Sequence, residues 1–185
     1  MPTIETTALA GVKLISAPRH GDQRGFFSEV WNRRSFREAG VDLDFVQINH
    51  SRSAKAGTLR GLHFQSPPQA QDKLVQVIRG RVLDVVVDIR ASSPTFGRHF
   101  AVELSAENGL QLLAPAGFAH GFCTLEDDCD VLYQVTAHYS REHDLGLAFD
   151  DPELGIAWPF SADAMTLSEK DQHHPRLRDL PRHFA

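Results

Sequence analysis

The most informative segment of the chain is Thr58-Leu59-Arg60-Gly61-Leu62-His63-Phe64-Gln65, a strand-like run that carries an arginine, a histidine and a glutamine. On a regular strand alternate side chains point to opposite faces, so His63 and Arg60 are expected on different faces. Gly57 and Gly61 favour a β-bulge that turns Arg60 toward the face of His63. The plainer alternative is a solvated sheet edge, which is the commoner place for an isolated histidine.

A second segment, Pro115-Ala116-Gly117-Phe118-Ala119-His120-Gly121-Phe122, follows Gly109 in the pattern G-x5-P-x-G-x2-H. Pro115 and Gly117 predict a tight turn before a strand that begins at His120. Together the two segments resemble the paired motifs of the cupin superfamily. That resemblance implies that they lie on facing strands of a small jelly-roll barrel, with their histidines toward its mouth.

The rest of the chain shows signals typical of strands and turns. Val82–Arg90 alternates with period 2, which predicts a strand with its odd-numbered apolar residues on the core face and with Asp84 and Asp88 on an outer face, holding arginines. A glycine-centred gap predicts a hairpin between this run and Lys73–Ile78. A short helix is predicted over Arg34–Ala39. Further strands are predicted over Phe45–Asn49, Arg98–Leu104, Gln111–Ala114, His120–Leu125 and Asp130–His138. We therefore expect an all-β (mainly β) fold, a cupin-type jelly-roll β-barrel with a few short helices.

Composition sets the broad class of protein. The chain has 185 residues, 42% of them hydrophobic and 23% charged, and a net charge of -5, which suits one domain over residues 1–185. An irregular tail is expected from about residue 168, with His173, His174 and His183 solvated.

The acidic net charge argues against nucleic acid as a partner. No apolar run reaches the ~18 residues that a membrane span needs, and no secretory signal is present. Two cysteines without metal-binding spacing fit a reduced, cytoplasmic protein.

Most cupins hold a metal with two histidines and a glutamate from the first motif and one histidine from the second. Here Gln65 stands in place of the second histidine, and Lys73 lies where the glutamate is expected. A protonated ammonium group repels a cation and offers no lone pair. His63 and His120 alone make a poor zinc or iron site. The sequence therefore predicts no metal and no other cofactor, in a pocket suited to acid–base chemistry.

Several stretches along the chain form one pattern in order: Asp22–Glu29, Val46–Ser51, Leu59–Gln65, Lys73-Leu74, Asp84–Arg90, Pro115–Phe122, Leu132-Tyr133 and Leu167–Asp171. In this pattern the chain resembles the dTDP-4-dehydrorhamnose 3,5-epimerase family, a metal-independent branch of the cupins. The resemblance implies an isomerase that converts dTDP-4-keto-6-deoxy-D-glucose to dTDP-4-keto-L-rhamnose by moving protons at C3 and C5. Such an enzyme serves dTDP-L-rhamnose biosynthesis, and through it polysaccharide and lipopolysaccharide biosynthesis.

The resemblance also implies catalytic roles. His63 matches the base, and Asp171 matches the carboxylate that orients its imidazole. Tyr133 matches the acid on the far side of the sugar ring. Lys73 matches the cation beside the enolate oxygen, and His120 a second histidine used for binding.

By the same resemblance, the substrate-binding residues are Arg24, Phe27, Glu29, Gln47, Asn49, Arg60, Lys73, His120, Tyr139, Asp144 and Lys170. Tyr139 is the candidate for stacking on the thymine, and Asp144 is one methylene shorter than the usual glutamate. Arg24 and Glu29 reach the partner's site in the family, which implies a homodimer.

Three alternatives stay open at this point. The first is a mono-epimerase that inverts only C3 or only C5. The second is a metal-dependent cupin enzyme. The third is a non-catalytic barrel that binds sugar nucleotides.

Overall fold

The computed structural model describes the whole chain, Met1–Ala185, and its regular structure is almost entirely antiparallel β-sheet. One α-helix, α1, spans Arg33–Glu38, and single turns of 3-10 helix occur at Ala162–Ala164, Asp171–His173 and Leu177–Asp179. No helix has the length and apolarity needed to cross a membrane. The strands are β1 Thr3–Thr6, β2 Lys13–Ser16, β3 Arg19–Asp22, β4 Gly25–Ser28, β5 Gln47–Ser53, β6 Leu59–Gln65, β7 Lys73–Arg79, β8 Arg81–Asp88, β9 His99–Ser105, β10 Leu110–Ala114, β11 Phe118–Thr124, β12 Cys129–Val135 and β13 Asp144–Gly146.

Two sheets enclose the main core. The six-stranded sheet has the order β1-β2-β10-β7-β12-β5, and the five-stranded sheet has the order β13-β6-β11-β8-β9. Strands β3 and β4 form a separate hairpin. The core between the sheets includes Val75 and Val77 of β7, Val86 of β8 and Phe118 and Phe122 of β11. The mainly-β class predicted from the alternating patterns is confirmed.

Additional layers cover the outer faces of both sheets. Phe36 of α1 packs against Leu74 and Leu113 on the six-stranded sheet. On the five-stranded sheet, residues of β6, β8 and β11 form a second cluster with side chains from the C-terminal part of the chain, among them Leu147 and Leu177. Both sheets therefore have strands that are apolar on two faces.

The predicted strands and helix are present, with shifted ends. The helix begins one residue earlier than predicted because the Asn32 side chain accepts hydrogen bonds from the backbone N–H groups of Arg34 and Ser35. The sequence patterns missed β1 to β4 and β13, which are three or four residues long. Runs this short do not establish a periodicity.

The prediction for the faces of β8 was wrong. Its even-numbered residues point into the barrel, where Val82 and Val86 join the main core, and Asp84 is fully buried on the same face. The odd-numbered Val85 and Val87 contact the C-terminal layer instead. Period-2 alternation separates the two faces of a strand. It does not show which face points into the barrel when apolar layers cover both faces. Asp88 is also fully buried, although it does hold an arginine as predicted: Arg90 donates to its carboxylate at 2.6 Å.

The predicted bulge in β6 is confirmed. His63 is opposite His120 on β11, but Arg60 is opposite Phe122, so β6 carries one more residue than β11 over this interval. Gly61 lies at the bulge with φ +131°, and a Cβ atom there would be 2.5 Å from the Cα of Gly121. Only glycine fits this position, because both the dihedral angle and the space exclude a side chain.

The segment after residue 168 lies over the five-stranded sheet. Leu177 is buried there, and its backbone N–H donates to Asp151 Oδ2 at 2.7 Å. His173 is exposed and His183 is partly buried against the ring of Phe64. The prediction that His174 is solvated was wrong, because its side chain is only 7% exposed.

Gly61→Ala is expected to lower the free energy of unfolding by about 3 kcal/mol, since it adds both a strained dihedral and a backbone collision. Gly40→Ala is the matched control: Gly40 also has a positive φ, +94°, but nothing lies within 4 Å of its Cβ position. It should cost only about 1 kcal/mol. Urea denaturation of both variants measures the difference, and equal losses would contradict the close approach of β6 and β11.

Candidate active site

A cavity of about 460 Å³ opens between the two sheets at the end of the barrel where the bulge lies. The predicted site residues that line it are Arg60, His63, Lys73, His120, Tyr133, Asp144, Lys170 and Asp171. They come from five strands and from the C-terminal segment. Because the bulge offsets the pleat by one residue, Arg60 and His63 both reach this cavity although they are three positions apart.

His63 and Asp171 form a hydrogen-bonded pair within the cavity. His63 Nε2 is 2.5 Å from Asp171 Oδ1, across 108 residues of sequence. Asp171 begins a 3-10 turn, and its own backbone N–H donates to Ser168 Oγ at 3.2 Å. Because Nε2 is engaged by the carboxylate, Nδ1 is the ring nitrogen left to accept a proton.

The ionisation of this pair suits a general base. Burial lowers the pKa of His63 below its ordinary value; the contact with Asp171 opposes this shift, and the charges of Lys73 and Lys170 reinforce it. His63 is therefore neutral at pH 7 and can take up a proton. Burial acts to raise the pKa of Asp171, but its contacts with His174, His63 and Ser168 outweigh burial and hold that pKa well below the usual range. Asp171 is thus ionised and can stabilise a protonated His63.

Lys73 places a buried cation beside the base. Its Nζ donates to the backbone oxygen of His63 at 3.1 Å. Burial lowers the pKa of its ammonium to about 8, while the charges of Asp144 and Asp84 partly oppose that shift. Lys73 therefore remains mostly charged at pH 7, and its charge lies in a poorly solvated position, where it interacts strongly with a developing negative charge.

Tyr133 faces His63 from the opposite sheet. It lies on β12 of the six-stranded sheet, whereas His63 lies on β6 of the five-stranded sheet. Burial raises the pKa of the Tyr133 hydroxyl above its ordinary value, and the charge of Arg60 opposes this shift. The hydroxyl therefore keeps its proton at neutral pH and can donate it.

His120 is held by a partner that the sequence reasoning missed. Its Nε2 lies 3.0 Å and 2.9 Å from the two carboxylate oxygens of the fully buried Asp84. Asp84 pairs with Phe122 on β11, which puts it diagonal to His120. The strand register carries this signal, and a single sequence does not reveal the register. Ser51, Ser168 and His174 are further residues at or beside the cavity that the sequence reasoning did not single out.

A network of polar side chains continues along the rim. Lys170 Nζ donates to Asp144 Oδ2 at 2.5 Å, and the Tyr139 hydroxyl donates to the same oxygen at 3.2 Å. Gln47 Oε1 accepts from the backbone N–H of Tyr139, and the Gln47 amide donates to Asn49 at 2.7 Å. Exposed residues around Tyr139 thus surround an open surface next to the buried acid–base groups.

Arg60 lines the cavity and is exposed to solvent. Its guanidinium donates to Ser53 Oγ at 3.1 Å and to the backbone oxygen of Arg52 at 2.9 Å. These two contacts orient the group without neutralising its charge, so it is free to bind an anion.

Six predicted binding residues do not line this cavity within one chain: Gln47, Asn49 and Tyr139 lie on its rim, and Arg24, Phe27 and Glu29 lie elsewhere. Arg24 pairs with Asp22 at the tip of the β3–β4 hairpin. The Phe27 ring on the same hairpin is 70% exposed. Glu29 accepts hydrogen bonds from two side chains near the start of α1.

The residues at the metal-binding positions of cupins do not fit a metal. The Gln65 amide is fully engaged: its nitrogen donates to the backbone oxygens of Gln69 and His138, and its oxygen accepts from the backbone N–H of Ser140. The ammonium of Lys73 occupies the same region, and His120 is bonded to Asp84.

The barrel and its cavity define a class of protein: an acid–base enzyme on a cupin-type fold, with a neutral histidine and a protonated tyrosine on facing sheets. Comparison with known proteins is more specific. The model of the dTDP-4-dehydrorhamnose 3,5-epimerase family matches residues 6–179. The chain belongs to this family.

Individual relatives agree. A dTDP-4-dehydrorhamnose 3,5-epimerase of Sinorhizobium fredii is 52% identical over 180 residues, which cover 97% of this chain and 92% of the relative. A Bacillus anthracis enzyme of the same name, solved with TDP and PPi bound, aligns with a TM-score of 0.92 at 46% identity, over 95% of this chain and 99% of that one. A Legionella pneumophila dTDP-6-deoxy-D-glucose-3,5-epimerase, solved with dTDP-4-keto-L-rhamnose, also gives 0.92, at 42% identity over 98% and 95% of the two chains. The predicted cupin-type fold is confirmed by these structures.

Proposed function

We propose that the protein is a dTDP-4-dehydrorhamnose 3,5-epimerase, which converts dTDP-4-keto-6-deoxy-D-glucose to dTDP-4-keto-L-rhamnose in dTDP-L-rhamnose biosynthesis. The observation that carries the proposal is the geometry of the cavity in a chain of this family. A neutral His63 backed by Asp171 faces a protonated Tyr133 on the other sheet.

The chemistry begins with removal of a proton. Carbons 3 and 5 of the substrate both flank the ketone at carbon 4, so their protons are acidified. His63 takes the proton through Nδ1, and the ionised Asp171 stabilises the imidazolium that forms. The electron pair left on carbon moves onto the ketone oxygen and gives an enolate.

The enolate oxygen needs positive charge nearby. Lys73 supplies it from a buried position, where a preorganised charge contributes ~3 kcal/mol of transition-state stabilisation. His120, held by Asp84 on the five-stranded sheet, is the second donor. Tyr133 then returns a proton to the opposite face of the carbon, which inverts it. Exchange with water removes the proton from His63 and restores the one on Tyr133 before the second carbon reacts.

The nucleotide occupies the rim. Arg60 binds the diphosphate, since an oriented guanidinium pairs well with phosphate oxygens. Tyr139 stacks on the thymine, with Gln47 and Asn49 beside it. Asp144, although shorter than the family's glutamate, already positions both Lys170 and Tyr139.

The active unit is a homodimer. The β3–β4 hairpin exposes Phe26 by 61% and Phe27 by 70%, and Ile48 on β5, at the edge of the six-stranded sheet, is 66% exposed. Large apolar side chains exposed together on one hairpin favour burial against another chain. When a second copy of the chain covers this surface, Arg24, Phe27 and Glu29 of each chain reach the cavity of the other chain. This explains why these residues do not reach the cavity of their own chain.

We place the enzyme in the cytoplasm, where its two buried cysteines remain reduced. We assign its product to polysaccharide and lipopolysaccharide biosynthesis.

Reaction in heavy water tests the function. With dTDP-4-keto-6-deoxy-D-glucose, deuterium should enter carbons 3 and 5, and NMR should show the L-configured product. His63→Ala should lose exchange at both carbons by at least ~1000-fold and keep its affinity for dTDP. Deuterium at a single carbon would instead identify a mono-epimerase, and no exchange by folded, dTDP-binding protein would leave a binding barrel.

The pH dependence of kcat/KM should be bell-shaped. Activity requires neutral His63, whose pKa lies below its ordinary value, so the acidic limb should lie below about pH 6.5. It also requires charged Lys73, so activity should fall as the pH rises through about 8. Values of kcat/KM measured from pH 5 to 10 check both limbs. A kcat/KM that stays constant up to pH 9.5 would show that the reaction does not need the charge on Lys73.

Subunit mixing tests the shared site. Arg24→Ala and His63→Ala should each be nearly inactive alone. In a mixed dimer, one site combines the intact His63 of one chain with the intact Arg24 of the other, so co-refolded equal amounts should regain about a quarter of the wild-type activity. Mixing His63→Ala with Lys73→Ala is the control, because both residues line the cavity of one chain. That pair should regain nothing, and recovery in neither mixture would argue against the crossing of Arg24.

A further inference from the structure

His174 is a buried histidine that contacts the acid–base pair and has no role in the mechanism above. It follows the 3-10 turn that begins at Asp171, and its backbone is extended, with φ -69° and ψ 146°. This turns the side chain inward, where it is only 7% exposed. Its Nε2 has no hydrogen-bond partner that satisfies both distance and angle.

The polar atom that His174 Nε2 faces is the same carboxylate oxygen that His63 uses. The distance from His174 Nε2 to Asp171 Oδ1 is 3.4 Å, against 2.5 Å for His63 Nε2. The two imidazole rings meet edge to face, with centroids 5.5 Å apart and planes at 79°. One carboxylate oxygen is therefore shared by two imidazoles, one close and one more distant.

The fold builds a dedicated space for this ring. Gly146 on β13 pairs with His63 on β6, and a Cβ atom on Gly146 would collide with the ring of His174. The next residue, Pro175, accepts a hydrogen bond from the backbone N–H of Ala148 at 2.8 Å, which anchors the segment to the chain just after β13. The ring is thus held beside the pair by backbone contacts on both sides.

Charge sharing gives the contact a chemical consequence. The negative charge on Asp171 favours the protonated form of His63, because an opposite charge stabilises an imidazolium. A proton on His174 Nε2, which lies 3.4 Å from the same oxygen, offsets part of that charge through space. With the offset removed, Asp171 would act on His63 alone and would hold its proton more tightly.

Other charged and titratable groups surround the cluster. Those that line the cavity with His63 are Arg60, Lys73, His120, Tyr133, Asp144 and Lys170, and those on the outer side of His174 are Glu169, His173 and His183. Asp84 is hydrogen-bonded to His120, and Asp144 is paired with Lys170. None of these groups pairs with the Asp171 carboxylate, whereas His63 and His174 both contact it.

We propose that His174 is a positioning residue for proton transfer: it shares Asp171 Oδ1 with His63 and thereby limits how strongly Asp171 retains the proton on the base. This inference rests on the proposed function, since His63 acts as the base there. It predicts that His174 keeps His63 neutral, and therefore active, at lower pH than Asp171 alone would allow.

The test is a His174→Leu variant, studied by NMR titration of labelled histidine side chains and by the pH profile of kcat/KM. EDTA is included, because the ligand-type atoms of His63, Asp171 and His174 all lie within 4.8 Å and stray metal would disturb the titration. The midpoint of the His63 titration should rise by about half to one pH unit, and the acidic limb of activity should rise with it. At pH 6 kcat/KM should fall about 2- to 5-fold, whereas at pH 8 it should change less than about 2-fold.

Two variants control this experiment. His174→Gln retains an N–H donor and should restore most of the wild-type midpoint. His173→Leu removes the exposed neighbour and should leave it unchanged. If His174→Leu does not fold, His174→Phe keeps a ring of similar shape without the nitrogen.

The outcomes are distinct. An unmoved His63 midpoint in a folded His174→Leu or His174→Phe protein would overturn the inference, as would an equal loss of activity at every pH. The NMR titration needs no substrate. A shifted midpoint in a protein whose wild-type form lacks epimerase activity would therefore support the contact with His174 and refute only the proposed reaction.

Discussion

The site depends on the close approach of two strands, β6 and β11, at a pair of glycines. Gly61 lies so near Gly121 that neither position has room for a Cβ atom. The extra residue that β6 carries there brings Arg60 and His63 to one cavity, while Leu62 and Phe64 remain in the apolar layer on the other side. A regular strand would send the arginine into that layer, where burying an unpaired charge is costly.

The second requirement is the C-terminal segment, which completes the site from outside the barrel. Asp171 and Lys170 come from this segment, and Leu177 anchors it in the cluster on the outer face of the five-stranded sheet. Asp171, whose carboxylate orients His63, is thus positioned by packing on the outer face of the five-stranded sheet, which is turned away from the main core. Stability of the outer layer and acid–base chemistry are coupled, since loss of that packing would leave His63 without its partner.

Much of the fold and part of the site could be predicted from the sequence. Gly57, just before a strand-like run, and Gly61, within it, predicted the bulge, and period-2 runs predicted the longer strands. The face of Asp84 was predicted wrongly, because both sides of β8 are covered by apolar layers and alternation alone does not identify the barrel side. His174 was expected in solvent because polar, proline-containing segments usually lie there; its burial depends on a gap above Gly146 that exists only once β13 pairs with β6. The link between Asp171 and His63 came from family resemblance alone, since contacts across 108 residues leave no local pattern.

In the proposed mechanism, removal and return of the proton use groups on opposite sheets. The Tyr133→Phe variant in heavy water separates the two steps, because the change removes the donor and leaves His63, Asp171 and Lys73 in place. The recovered sugar should contain deuterium next to the ketone with its configuration unchanged, because His63 removes the proton and returns deuterium to the same face. Inverted product at the wild-type rate would contradict this mechanism, as would the absence of any exchange in a variant that still binds dTDP.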